Sequence, residues 1–171
     1  MIAGLCAFGL RPRATLEIPS PTRRLDRILE LVSACRYSFH DLSRVQLAGG
    51  VPRFNMPFEV GLAVATARWR PAHQWFLLEA RAYRIQRTLS DLGGTDAYIH
   101  GDGPRRLLIA LTDALVRAAK QPTFDELYRM FRILSAEATR IRRNYGTLFG
   151  ARAFRDLVVV AVDFATREGA R

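Results

Sequence analysis

Lysine is almost missing from this chain: Lys120 stands alone, and every other one of the 26 basic residues is an arginine. Acidic residues are few as well, 16 in all, so the 171-residue chain carries a formal charge of +10 and an isoelectric point near 10.9. Arginine forks match phosphate geometry. The excess therefore fits nucleic acid, nucleotides or an anionic surface, or it serves solubility alone, and charge by itself does not choose. Cysteine is also scarce. Cys6 and Cys35 both sit in apolar surroundings, which excludes a disulfide framework and reads as two buried thiols in a cytoplasmic protein. His73 and His100 are isolated, and without Cys or His at ligand spacing no metal site is expected. The opening MIAGLCAFGL is apolar but short and has no basic residue before it, so neither a signal peptide nor a membrane span is expected, and no membrane partner. No Walker loop, G-x-G-x-x-G fingerprint or G-x-S-x-G elbow occurs, and kinase, dehydrogenase and serine-hydrolase readings lose their usual support.

What is present is an ordinary globular balance, 49% hydrophobic and 25% charged, with length for one real core or a domain of about 120 residues plus an appendage. The apolar run 1–8 predicts a first buried strand, broken by Gly9 and Pro12. Helical spacing of Leu25, Ile28, Leu29 and Val32 predicts an amphipathic helix over 22–34. Strands follow at 37–40, 75–78 and 97–99, with a flexible loop over 46–52, a helix over 57–68 apolar nearly all round, and a helix over 82–92 stopped by Gly93 and Gly94. A GDGP turn then feeds a helix reaching 119, with Pro104 in its first turn. Strands alternating with helices make this an α/β domain over 1–119 with a mostly parallel sheet covered on both faces. Beyond it Thr123 and Glu126 form a capping box, and Phe124, Leu127, Phe131, Leu134, Ala138 and Ile141 step by threes and fours along a seam that needs a partner. Residues 154–165 supply that partner as a second helix, or as a strand because of Val158, Val159 and Val160. The expected outcome is a helical hairpin over 120–171.

The candidate site lies in HDLSR and RFNMPFEVGLAVA. Ligands of parallel sheets lie beyond the carboxyl ends of the strands, and Asp41 falls where the second strand ends. With Met56 as cap and Pro57 in first position, Glu59 stands in the first helical turn, where the dipole favours an ionised carboxylate suited to act as nucleophile or cation stabiliser. Each has a plainer reading: glutamate favours first turns for stability alone, and aspartate starts turns. Gly61 reads as a close helix-sheet contact, and His40, on the face opposite Asp41, as structural.

This combination, an aspartate after a strand, a variable loop, then an Asn-x-x-x-Glu-x-Gly-x-Ala helix start, resembles the nucleoside 2-deoxyribosyltransferase-like and TIR-like superfamily over roughly 1–119, most strongly over 35–65. The resemblance implies a flavodoxin-like (Rossmann-like) fold of a bacterial branch, and it permits a role in defence or signalling, where TIR-like relatives often act. It implies that Glu59 attacks or stabilises the anomeric carbon of a nucleoside, nucleotide or NAD, that Asp41 contacts ribose or base, and that Asn55 shapes the pocket. Ser43, Arg44, Arg53 and Phe8 are the further substrate-binding positions, and NAD or a nucleotide enters as substrate or ligand, not as cofactor. Cleaving an N-glycosidic bond builds oxocarbenium character, which a nearby carboxylate stabilises or traps. Two other classes stand beside it: a non-catalytic nucleotide-binding module that forms a homo-oligomer or engages a partner protein through the C-terminal helices, and a basic nucleic-acid-binding protein. The last is the least favoured, because the cluster Arg140, Arg142 and Arg143 has no aromatic RNA-binding motif beside it.

Overall fold

A computed structural model describes residues 1–18, 23–44, 53–116 and 118–169. In chain order the helices and strands are α1 (Ile2–Ala7), α2 (Arg24–Ala34), β1 (Tyr37–Asp41), α3 (Asn55–Trp69), β2 (Gln74–Glu79), α4 (Arg84–Thr88), β3 (Tyr98–Ile99), α5 (Pro104–Ala114), α6 (Phe124–Tyr145) and α7 (Ala151–Gly169), with 3₁₀ turns at Thr15–Glu17 and Ser90–Leu92. The fold is α/β, and it forms two compact units: Met1–Thr22 with Leu115–Arg171, and Arg23–Ala114.

The unit Arg23–Ala114 is built on a parallel sheet in the order β1-β2-β3. Tyr37 pairs with Gln74 and Asp41 with Leu78, while Leu78 pairs with Tyr98. Alternation along the strands sorts the side chains onto two faces. Trp75, Leu77 and Leu42 pack with Val60 of α3 and Ile85 of α4, and Trp75 also meets Ala63 of α3 with Ile28 and Val32 of α2. The other face carries Tyr37, Phe39, Phe76 and Tyr98, whose rings lie 5.0 to 6.1 Å apart in sequence across the three strands.

The second unit is helical. Thr123 caps α6 reciprocally: its hydroxyl accepts from the Glu126 amide at 3.3 Å, and Glu126 accepts from the Thr123 amide at 2.6 Å. Gly146 closes the helix in a left-handed conformation, φ +71°, which only glycine adopts readily. The expected seam does find its partner in α7. Met130, Leu134 and Ile141 of α6 are buried with Ala153, Leu157 and Ala161 of α7, so residues 154–165 are helix and the two form the C-terminal pair.

Four expectations need correction. Residues 1–8 form helix α1, not a strand, and α1 packs on α6 and α7 through Ala3 and Cys6; a short apolar run carries no period that separates strand from buried helix, and small side chains let this one lie close to two others. The first segment thus belongs with the C-terminal helices and not with the sheet, which has three strands among the described residues. The helix expected over 82–92 breaks into α4 and a 3₁₀ turn, because Leu89 between them, at φ −137° and ψ 66°, leaves helical backbone geometry. Finally, α5 stops at Ala114, short of 119: the Gln121 side-chain amide donates to the carbonyls of Leu115, Val116 and Ala118 at 2.8 to 3.0 Å, drawing that stretch out of the helix. The loop expected over 46–52 lies outside the described residues.

Candidate functional site

Three strand ends meet at the carboxyl edge of the sheet, where ligands of parallel sheets bind. At the end of β1, the Asp41 carboxylate accepts from the Ser43 amide at 2.9 Å, which fixes the turn. From the end of β3 comes His100, buried, with Nε2 2.9 Å from Ser43 Oγ and 3.4 Å from Asp41 Oδ1. Its other ring nitrogen, Nδ1, accepts from the Asp102 amide at 3.2 Å. A backbone N–H can only donate, so in the neutral ring Nδ1 is unprotonated and the proton sits on Nε2. His100 therefore donates to Ser43 Oγ, with Asp41 as a second, longer acceptor. This polarity excludes a Ser-His nucleophile pair, in which the imidazole would accept from the hydroxyl. The Ser43 hydroxyl in turn donates to the Asp41 carboxylate, so Ser43 bridges His100 and Asp41.

Asp41 itself is 48% exposed at the side chain. Partial burial pushes its carboxyl up, but the hydrogen bonds from Ser43 and the neighbouring His100 outweigh that and hold it below the ordinary range. Asp41 is a fixed, ionised acceptor facing solvent. The end of β2 supports it from below. Glu79, 1% exposed, takes two bonds from Arg84, Nε to Oε2 at 2.9 Å and a terminal nitrogen to Oε1 at 2.8 Å. The same guanidinium donates to the Leu42 carbonyl at 2.6 Å, tying the Asp41–Ser43 turn to β2. Bidentate pairs of this kind hold geometry well.

Glu59 comes from α3. α3 begins at Asn55 with Phe54 as its cap, two residues before the expected start, because proline is tolerated anywhere in a first turn whose N–H groups have no helical acceptor. Glu59 is consequently the fifth helical residue and sits past the first turn. Its carboxylate, 17% exposed, is 3.7 Å from the Arg24 guanidinium of α2. Burial raises its pKa, and Arg24 partly offsets the rise. The two carboxylates have different partners: Asp41 stands at the end of β1 with Ser43 and His100, whereas Glu59 projects from the early part of α3 toward Arg24 at the start of α2. Comparison with family models, with curated proteins and with solved structures gives no match to this chain.

Of the other expected positions, Ser43 joins Asp41 directly. Asn55, Arg44 and Arg53 are exposed, and Phe8 is buried in the helical unit. His40 is structural as expected: buried, with Nε2 3.0 Å from Ser38 Oγ, which in turn meets His73 Nε2 at 3.1 Å. Gly61 makes no close contact with the sheet; a Cβ there would meet nothing within 4 Å. Among the described residues no cluster of His, Cys, Asp or Glu could hold a metal ion, and no helix is long and apolar enough to cross a membrane. Sequence reasoning missed His100 and the Glu79–Arg84 pair. The signal for His100 was available, since it stands at a strand exit before the GDGP turn just as Asp41 stands at one before Leu42.

Proposed function

We propose that the unit Arg23–Ala114 is a flavodoxin-like module that takes a nucleoside, nucleotide or NAD at the carboxyl edge of its sheet. The observation that carries this reading is the Asp41–Ser43–His100 cluster. An ionised acceptor that stays 48% exposed while Ser43 and His100 fix it at a strand exit suits the hydroxyl groups of a sugar. Arg44 and Arg53, both exposed, are the cations for phosphate groups. Asp41 is held by Ser43 and His100 while Glu59 pairs with Arg24, and this division of partners favours binding as the first reading.

A second reading adds cleavage or exchange of the N-glycosidic bond, and one observation favours it. Glu59 is a carboxyl whose burial and whose arginine partner pull its pKa in opposite directions, a balance common where carboxylates do chemistry. In that reading Glu59 meets the positive charge that develops at the anomeric carbon.

One experiment separates the two. Ribonucleosides, nucleotides and NAD are titrated calorimetrically against wild type, Asp41→Asn and Glu59→Gln, and base release is followed by chromatography. Binding weakened by Asp41→Asn, with no base released by any form, supports the module. Base release by wild type that Glu59→Gln abolishes supports the enzyme. Absence of binding by the wild type overturns both.

A further inference from the structure

Helix α3 buries only part of its surface. Val60 and Ala63 turn inward, whereas Phe54, Phe58, Gly61, Ala65 and Trp69, spaced by threes and fours, form one outer stripe that is exposed throughout. The aromatics on it are not marginal: Phe54 is 71%, Phe58 54% and Trp69 88% exposed. Beside the stripe runs a groove of about 690 Å³ lined by Pro57, Val60, Val64, Trp75, Leu89 and Leu92. A helix apolar nearly all round is one that is covered on more than one side, and the sheet and α2 cover only one.

Gly61 supplies a second and independent observation. Glycine inside a helix is destabilising relative to alanine, yet the space where its Cβ would stand is open. Nothing among the described residues requires the missing side chain. It is accounted for if another backbone approaches there.

We propose that this stripe is the contact between two copies of the chain, with α3 crossing its counterpart at Gly61 and Ala65. The pattern along the stripe identifies a second copy as the occupant. Small residues stand in the middle and aromatics at both ends, so a two-fold rotation brings Trp69 of each copy against Phe58 and Phe54 of the other, which is the self-complementarity an isologous interface demands. The area comes from both parts of the surface: the exposed fractions of Phe54, Phe58 and Trp69 offer roughly 320–530 Å² on side chains that bury roughly 150–250 Å² each, and the groove lining carries the total toward the roughly 800 Å² per partner that a stable interface buries. Arg68, exposed at the stripe's border, can stack on an aromatic ring of the other copy. Since each chain carries +10, added salt screens the repulsion between copies and strengthens the dimer; an acidic partner would be released by salt instead.

The contact does not use Asp41, Ser43 or His100, so it stands or falls separately from ligand binding. Sedimentation of the full chain over a range of concentrations tests it. Wild type is expected at twice the 19.3 kDa of one chain. Gly61→Gln places its side chain in open space among the described residues of one chain but between the helices of two, so it should weaken association more than about a hundredfold while leaving the circular dichroism spectrum of the fold unchanged. Trp69→Glu, at an exposed position, is the second variant and should do the same. A wild type that is monomeric at every concentration overturns the proposal, as it would if another segment of the chain or another protein covers the stripe. A dimer that both variants leave intact overturns it too.

Discussion

Burial and the neighbouring His73 push the His40 imidazole down to about 4, so the fold keeps it neutral while the unfolded chain takes up a proton near its ordinary 6.5. Its share of stability is complete above 6.5, declines as pH falls from there, and is fully lost below about 4, a loss on the order of 3 kcal/mol. Asp41 acts in the same direction at lower pH. Its depressed carboxyl supports the fold above the ordinary aspartate range, and that support goes as pH drops through its folded value. Melting followed by circular dichroism should show the decline, and His40→Gln should flatten the part between 6.5 and 4; an unchanged slope would assign it to other groups. Ligand binding rests on a different histidine. His100→Ala removes the donor to Ser43 and should weaken nucleotide binding about tenfold, roughly 1.4 kcal/mol, with Asp41→Asn weaker still. Glu59→Gln should reduce turnover about a hundredfold if Glu59 is catalytic, and otherwise leave binding as it was. Asp41 and Ser43 were legible because a strand exit can be read from five consecutive residues. The strand exit at His100 could be read in the same way, but its link to Ser43 and Asp41 could not, since these partners stand 57 and 59 positions away.

Among the elements, α6 and α7 were the most legible, because a capping box and a seam of several turns are both local signals. Thr123→Ala should lower stability by about 0.5–2 kcal/mol through loss of the cap, and Leu134→Ala, in the buried seam, by about 2–5 kcal/mol; urea denaturation of the two variants measures both. If the cap variant proved the more damaging, the seam would not be the core it is taken for. Ending the chain after Gln121 should leave α1 without the helices that bury Ala3 and Cys6, and light scattering should then show aggregation. α1 was misread because six apolar and small residues fit a strand and a helix equally well. In α3 the fault lay at the boundary: the helix was foreseen, but its start at Asn55 moves Glu59 beyond the first turn, and a shift of two residues there changes which face a side chain meets.

On the scale of the whole molecule, the sheet unit is continuous in sequence and the helical unit is not. Arg23–Ala114 has core clusters of its own around Leu77 and Ala63, so a protein of residues 23–114 is expected to keep its circular dichroism spectrum and a cooperative melt, with nucleotide binding retained. A noncooperative fragment would make the helical unit a condition of its folding. Composition could not locate this division. A change of character near 120 is visible in the sequence, whereas the alliance of the first segment with the last rests on packing between positions more than a hundred residues apart, such as Cys6 and Leu157, to which local spacing is blind.

That alliance also imposes an order in time. During synthesis α1 emerges before the helices that bury it, which start at Phe124. At about 5–20 residues per second the ribosome needs roughly 6 to 20 seconds to cover that interval, long enough for the sheet unit to finish folding in between. Throughout that wait the apolar face of MIAGLCAF lacks its cover, and only the arrival of α6 and α7 buries it.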